Sequence, residues 1–455
     1  MFFIDIVVCT NRYFILKLSG WGNYPIKDSK ISFPKNTKEL IDEIKKANVI
    51  ARGNGRSYGD SSIGESVTVH MKYFNQIISF DETRGLLVAE SGVLLKDIIN
   101  TYLPKGWFPS VTPGTKFVTL GGMIAADIHG KNHHKHGNFS NYVEWIDIVN
   151  PEGIIKRCSK NENSELFDWT MGGMGLTGII ISAAIKLRSI KTGWIKQKIL
   201  IAENLDEAID LFDTLKNATY SVAWIDCLKK KENIGRSVIM LGEHAEIDDL
   251  DEKKRSSPFN IPNKIRISIP FDFPSWFLNS WSVNLFNSFF YWKSKNNVKE
   301  KLIDWDNYFY PLDKVLGWNK VYGRKGFAQF QCVLPIEKSR AGLHELLNSI
   351  QKAKVGSFLS VLKRFGPQSG KFSFPMEGYT LALDFPINTK TLNLMDKLDE
   401  ITIKYNGRFY LAKDSRMSKQ TLLDSEKRLE SYRAYRDKIK SEKIFNSVQS
   451  VRLGL

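Results

Sequence analysis

The chain has 455 residues, 42% hydrophobic and 25% charged, which describes a globular protein of roughly two or three domains and excludes a disordered or fibrous one. The net charge of +16 favours anionic partners, but the basic residues are spread out and no zinc-finger, basic-helix or RNA-platform pattern occurs, so nucleic acid is not expected. Cys9, Cys158, Cys227 and Cys332 lie far apart with no Cys-x-x-Cys pair, which argues against a disulfide framework and fits a reducing compartment.

Residues 1–9 are apolar but include Asp5 and lack a basic leader or cleavage pattern; they read as a strand or extension rather than a secretory signal. Residues 39–48 space their apolar positions like a helix, and 49–51 read as a strand entering a glycine loop. Strands are predicted at 67–71, 77–80 and 86–90, a helix at about 94–102, and further strands at 143–149 and 179–188. A glycine-rich turn, 172–178, precedes the last of these. Past about residue 193 glycines thin out. Helix-like stretches (204–217, 338–353, 391–404) then alternate with strand-like ones (220–226, 327–334, 380–385), which reads as a second domain. The chain ends in basic helical character, with Ser418 as an N-cap and Leu422, Leu423, Leu429, Tyr432 and Tyr435 as apolar positions.

Residues 273–292 carry no charge, and Leu278, Trp281, Leu285, Phe289 and Trp292 fall on one helical face beside Trp276 and Phe277. Four serines, three asparagines and a proline make it a poor membrane span. Lys253, Lys254, Arg255, Lys264 and Arg266 precede it, and Lys293 and Lys295 follow. Two readings stay open: a helix lying in a membrane interface, or one buried beneath a sheet.

Two glycine-rich segments carry the chemistry. Residues 52–60 read Arg-Gly-Asn-Gly-Arg-Ser-Tyr-Gly-Asp, and residues 113–134 run from Pro-Gly-Thr through Thr-Leu-Gly-Gly to Asp-Ile-His-Gly-Lys-Asn-His-His. Such loops offer successive backbone N–H groups to an anion, typically a diphosphate. The first is not the Rossmann pattern, because its third glycine comes one residue late and no acidic residue closes a βαβ unit. His129, His133, His134 and His136 crowd into eight residues, but Lys131 and Lys135 among them would repel a cation, so no metal is expected.

The motifs at 53–60 and 113–134, with Gly-Leu-Thr-Gly-Ile-Ile at 175–180, resemble the FAD-binding domain of the vanillyl-alcohol-oxidase (PCMH-type) flavoproteins. Within that superfamily the chain is similar to the decaprenylphosphoryl-β-D-ribose 2′-oxidases from Leu18 to the C-terminus. The likeness is close at 326–331, 363–367, 384–386 and 407–416 and loose around 317–319. It implies an α+β fold: a two-subdomain FAD-binding domain over 1–193, rejoined by 408–455, and a substrate domain over 194–407 with an antiparallel sheet flanked by helices. Gly53, Asn54, Gly55, Arg56, Ser57, Tyr58 and Gly59 would wrap the FAD diphosphate. Gly114, Thr119, Leu120, Gly121 and Gly122 would form the opposing wall. Ala126, Asp127, Ile128 and His129 would line the approach to the isoalloxazine, with Ile179 and Tyr410 completing the pocket. Many relatives attach the flavin to a histidine where this chain has Arg56, so noncovalent FAD is expected.

The same resemblance implies oxidation of the 2′-hydroxyl of a polyprenyl-phosphate-linked pentose to a keto sugar. This would be the first half of an epimerisation in cell-envelope polysaccharide synthesis, completed by an NAD(P)H-dependent short-chain reductase. The catalytic candidates are Lys413, Tyr58 and His129, a desolvated lysine being able to accept the hydroxyl proton. Taken alone, Lys413 would read as a salt-bridge partner of Asp414. Lys131, Gln329, Gln331, Lys363, Thr380 and Lys413 would bind the sugar phosphate, with Trp224 and Phe365 as apolar walls. Thr380 and Ala382 stand where mycobacterial members carry asparagine and cysteine, so the sugar contacts differ. A cytoplasmic enzyme, in peripheral contact with the inner face of the plasma membrane, is expected. Two alternatives remain: the same fold acting on a soluble polyol or aldonolactone, and a flavin-binding scaffold without catalysis.

Overall fold

The computed structural model describes residues 6–9, 13–262, 264, 267–274, 279–357, 359–368 and 370–455; Asp5, Arg266, Trp276, Phe277 and Leu278 lie outside the described residues. The first sheet contains β1 (Ile6–Cys9), β2 (Phe14–Leu18), β3 (Lys27–Ser32), β4 (Val49–Arg52) and β5 (Val67–His70) in the order β1-β2-β3-β5-β4. β3 and β4 flank β5 in parallel, joined by the helix Thr37–Ile44, whose N-cap Asn36 accepts from the Glu39 N–H. Parallel strands place the loop leaving β4, the first glycine segment, at the carboxyl edge of the sheet, where ligands of α/β layers sit.

The second sheet is antiparallel: β6 (Ile77–Asp81), β7 (Leu86–Glu90), β8 (Trp107–Pro109), β9 (Val143–Val149), β10 (Ile155–Ser159) and β11 (Ile179–Ser189). Its order is β10-β9-β11-β7-β6, with β8 added to β11. Leu120, Met123 and Ile124 of the short helix Leu120–Ala125 pack into the core beside it, which fixes the second glycine segment over the sheet.

The rest supplies β12 (Trp194–Ala202), β13 (Tyr220–Ile225), β14 (Ser237–His244), β15 (Ile267–Ser268), β16 (Lys301–Asp304), β17 (Val315–Leu316), β18 (Phe327–Pro335), β19 (Ser360–Phe365), β20 (Gly378–Pro386) and β21 (Arg408–Phe409). Eight form one sheet, β16-β12-β14-β13-β19-β20-β18-β21, while β15 and β17 pair separately in parallel. Side chains alternate across this sheet with period two. Ala328, Phe330, Cys332, Leu362, Leu381 and Leu383 point into a core covered by the helices Leu205–Thr214, Ile336–Ala353 and Thr389–Lys404. The opposite rows, including Gln329, Gln331, Val361, Lys363 and Ala382, face the glycine segments. The molecule is an α+β fold, and the expected elements occur with ends shifted by about a turn or less.

The expected helical character after Ser418 takes the form of the helices Lys419–Ser425 and Leu429–Lys438, broken at Glu426. Ser418 caps the first, accepting from the Thr421 N–H at 3.0 Å. Leu422, Leu429, Tyr432 and Tyr435 join the core of the second sheet, whereas Leu423 is exposed. Arg452 of the last helix, Val448–Leu453, bridges two buried carboxylates, Asp60 at 2.8 Å and Asp414 at 2.8 Å. Removing one partner of a buried ion pair strands the other charge in low dielectric. Arg452→Ala is expected to cost about 3–5 kcal/mol, read as a lower urea midpoint; an unchanged midpoint would contradict this.

Candidate active site

The three sheets and the C-terminal segment enclose a cavity of about 880 Å³. Its first wall is the loop leaving β4. Arg52 holds that loop from beneath by donating from Nη2 to the Ser19 carbonyl at 2.7 Å. Gly55 sits at φ +60°, and a Cβ there would come within 2.4 Å of Arg52 Nη2. Gly53 lies so close to the second segment that a Cβ would stand 2.1 Å from Thr119 Oγ1. Asn54 Nδ2 donates to the Phe117 carbonyl at 2.7 Å, so the two segments are clamped face to face. Gly114 differs, because its Cβ would meet nothing within 4 Å and would project into open cavity. Neither segment carries a carboxylate between Gly53 and Gly59 or between Pro113 and Gly122; the first brings a cation to the cavity, Arg56, whereas Lys116 of the second is paired with Asp306 outside it. A cleft of this volume, with glycine-rich walls that carry no carboxylate, fits a dinucleotide diphosphate.

Most of the expected cofactor residues line this cavity: Gly53, Asn54, Gly55, Arg56, Ser57, Tyr58, Gly114, Thr119, Gly121, Gly122, Ala126, Ile128, His129 and Tyr410. Four lie behind its wall. Gly59 is pressed against the Asp414 carbonyl, and Leu120 is buried in the core. Ile179 points to the first sheet's core; strand alternation gives its place to Ile180. Asp127, at φ +37°, accepts from Asn138 Nδ2 (2.6 Å), the Ser140 N–H (2.9 Å), Ser140 Oγ (3.0 Å) and Ser373 Oγ. Its buried carboxylate thus ties down the loop that carries His129.

The histidines separate. His133 Nδ1 accepts from the Gly366 N–H at 3.2 Å, His134 Nε2 lies 2.7 Å from the Ala218 carbonyl, and His136 Nδ1 lies 3.3 Å from Tyr142 Oη. Among the described residues no group of three His, Cys, Asp or Glu is placed to hold a metal. His129 alone turns to the cavity, and burial, reinforced by Lys363, His133 and Lys413, lowers its pKa well below the usual value. Its proton is located by a chain of donors. Thr380 Oγ1 gives its hydrogen to the Cys332 carbonyl at 2.8 Å, so Gln331 Nε2 donates to Thr380 Oγ1 at 3.2 Å. The same amide nitrogen lies 3.2 Å from His129 Nε2, which therefore accepts. The assignment puts the proton on Nδ1 and leaves the Gln331 amide oxygen to a ligand.

On the substrate side Gln329, Gln331, Lys363 and Lys413 reach the cavity. Lys413 does not pair with Asp414, which is taken by Arg452; its Nζ lies 3.7 Å from the centroid of the Tyr58 ring. Burial lowers Lys413 to about 7, with Lys363 adding to the shift and Asp384 opposing it, and burial lowers Lys363 to about 8. Burial raises Tyr58 well above 10, so its phenol stays protonated and is no base near neutrality. Four further candidates sit behind the wall. Lys131 donates to the Tyr308 carbonyl, and Phe365 backs His129 at 4.8 Å between ring centroids. Thr380 supports Gln331. Trp224 packs on Phe290 at 4.9 Å, and its strand partner Val361 takes the wall instead. These four were expected in contact with ligand, but each is one layer out.

Sequence reasoning missed Asp384, buried on β20, which accepts from Gln329 and has its carboxyl raised by burial. A lone charge in an apolar strand was the available signal. It also missed the rim formed by 268–269, Asp272 and 312–320, where no motif was legible.

A family model for an FAD binding domain matches residues 29–159. The decaprenylphosphoryl-β-D-ribose oxidase of Mycolicibacterium smegmatis is 32% identical over 450 residues, covering 96% of this chain and 97% of that protein. The chain belongs to this family of FAD-dependent oxidoreductases. FAD is its cofactor, and the glycine segments described above fit it. Two further relatives match part of the chain: bovine (Bos taurus) L-gulonolactone oxidase is 25% identical over 190 residues (40% of this chain, 42% of that protein). Cytokinin dehydrogenase 5 of Arabidopsis thaliana is 32% identical over 158 residues, covering 32% of this chain and 29% of that protein.

Gly55→Val is expected to strip the flavin, but it also strains the backbone and strikes Arg52, so folding and binding fail together. Gly114→Val separates them: the protein should purify colourless with an apo unfolding free energy within about 0.5 kcal/mol of the parent. A fully yellow Gly114→Val protein would remove this segment from the cofactor site.

Proposed function

We propose that the enzyme oxidises the 2′-hydroxyl of a polyprenyl-phosphate-linked pentose to the keto sugar. The reading is supported by one observation above all: Lys413, Lys363, Gln329 and Gln331 converge on the same cavity as the glycine segments. A pentose offers hydroxyls for the two amides, and a phosphodiester offers negative charge for cations. Arg56, Lys320 and Lys363 line the cavity against Asp272 and Asp313, so positive charge is in excess even with Lys413 a free amine, which suits a phosphate better than a neutral polyol or lactone. The name of the mycobacterial relative points the same way.

FAD, held between the glycine segments at 53–58 and 114–122, would supply the acceptor for the hydride of the carbinol carbon. The chain's own residues do the rest. Lys413, as a free amine, takes the hydroxyl proton on Nζ, and that nitrogen lies against the Tyr58 ring. His129 stays neutral, so its loop brings no competing charge to the reacting carbon. Lys363 binds the anionic part, and Gln329 and Gln331 orient the sugar. Residues 1–193 and 408–455 act as the FAD-binding part and 194–407 as the substrate-binding part, the first supported by the shared core of 422–435 with the second sheet. The flavin is held noncovalently, since Arg56 stacks 4.2 Å from the Trp21 ring where a linking histidine would stand. Cys158, Cys227 and Cys332 are buried free thiols, which supports a reducing compartment. The keto sugar would pass to an NAD(P)H-dependent short-chain reductase that completes the epimerisation.

Acid precipitation should release all of the flavin into the supernatant; yellow pellets would refute noncovalent attachment. Anaerobic bleaching of the flavin by a prenyl-phosphate pentose, with no bleaching by polyols or aldonolactones, is the deciding comparison, and the reverse pattern would select the soluble-substrate alternative. Lys413→Ala should keep FAD and lose about 10²–10⁴-fold in bleaching rate. A lysine lowered to about 7 is charged below that pH and a free amine above it, so the parent rate should rise through pH 7 and level off. A rate that falls over that range would make Lys413 a cationic anchor instead of a base.

A further inference from the structure

The helix Ser280–Lys295 presents its apolar side outward. Facing the sheet it buries Val283, Asn287, Tyr291 and Ser294, and Asn287 Nδ2 donates to Asp226 at 2.9 Å. Facing solvent it carries Trp281, Leu285, Phe289 and Trp292, which are 58–74% exposed. Spacings of four, four and three align them in one stripe. Such a stripe contributes nothing to the protein's own core.

The helix backs onto the cavity wall. Phe290 of this helix packs on Trp224, whose strand partner Val361 lines the wall. Just upstream, Ile267 and Phe271 are 65% and 63% exposed, while Ser268, Ile269 and Asp272 between and beside them line the cavity. One segment is therefore both rim and apolar ledge. Charge selects the occupant. No acidic residue occurs from 273 to 299; Lys293 and Lys295 occupy the last helical turn, Lys295 3.5 Å from Glu203 with both side chains exposed, and Lys229 lies alongside, donating to Asn284 and Ser288. A second copy of a chain carrying +16 would be repelled, whereas aromatic residues fringed by lysines match the polar–apolar boundary of an anionic bilayer. Among the described residues no helix is long and apolar enough to cross a membrane, so the helix would lie in the interface.

We propose that this stripe, with the 267–272 ledge, docks the enzyme on an anionic lipid bilayer and turns the cavity mouth toward the headgroups. A polyprenyl tail would then stay in the bilayer while its sugar phosphate enters the cavity; this route, unlike the docking itself, rests on the substrate reading above.

The test is flotation of the full-length FAD-loaded protein with phosphatidylcholine vesicles, with and without about a third phosphatidylglycerol. The parent should float with the anionic vesicles. The triple variant Trp281→Ser, Leu285→Ser, Phe289→Ser should lose at least about tenfold in partition while keeping its flavin spectrum and unfolding midpoint. Lys293→Glu with Lys295→Glu should abolish the preference for phosphatidylglycerol. A parent that does not float, a triple variant that floats as well as the parent, or a dimer in light scattering that the triple variant dissolves would each overturn the proposal. Flavin bleaching by a short, water-soluble prenyl-phosphate pentose without vesicles should be equal in parent and triple variant. If the parent floats but that substrate does not bleach it, only the entry route falls.

Discussion

Arg452 is the pin on which the site's geometry depends. It is contributed by the last helix and reaches Asp60, at the end of the first glycine segment, and Asp414, next to Lys413. Around it the Tyr58 N–H donates to the Ala412 carbonyl at 2.9 Å, and Gly59 has no room for a Cβ beside the Asp414 carbonyl. The result is that residues more than 350 positions apart in sequence share one backbone seam. Lys413 is pointed over the Tyr58 ring because its neighbour Asp414 is already committed to Arg452. Buried charges of this kind are tolerated only when each finds a partner, which is why the seam is specific.

The antiparallel sheet solves a second problem by strand periodicity. Three adjacent strands carry an apolar row into the helix-covered core and a polar row into the cavity, so Gln329, Gln331 and Lys363 stand on rigid backbone. The same burial that holds them lowers the lysines and keeps His129 neutral. Positioning and acid–base tuning thus have one cause, removal from water.

Much of this was legible in the sequence where a residue's role is local. Gly53 and Gly55 mark close approach, the Ser418 cap starts a helix, and alternation gives 327–334 and 380–385 as strands. Roles set by depth were not legible. Ile179 and Ile180 are equivalent as letters, and only the pairing of β11 decides which one faces the cavity. The resemblance put Trp224, Phe365, Thr380 and Lys131 in the ligand shell, yet Trp224, Phe365 and Thr380 each support a residue that lines the wall, and Lys131 is bound to Tyr308. The 280–295 helix shows the same limit. Its apolar periodicity was plain, but periodicity cannot say whether the stripe points in or out.

A lysine that accepts a proton and a lysine that holds a phosphate make opposite demands on one cavity. An anion beside Lys413 would raise its pKa and keep it charged, while an anion beside Lys363 cancels a like charge that helps to lower Lys413. The conflict is least if the phosphate lies on the side of Lys363 away from Lys413, toward Lys320, and the sugar lies under Lys413. Asp384 then limits what remains: its own carboxyl is raised by burial, so it opposes the lowering of Lys413 less than a fully ionised aspartate would. A substrate with its charge at one end and its reacting hydroxyl at the other meets that arrangement, and one with the charge next to the hydroxyl does not.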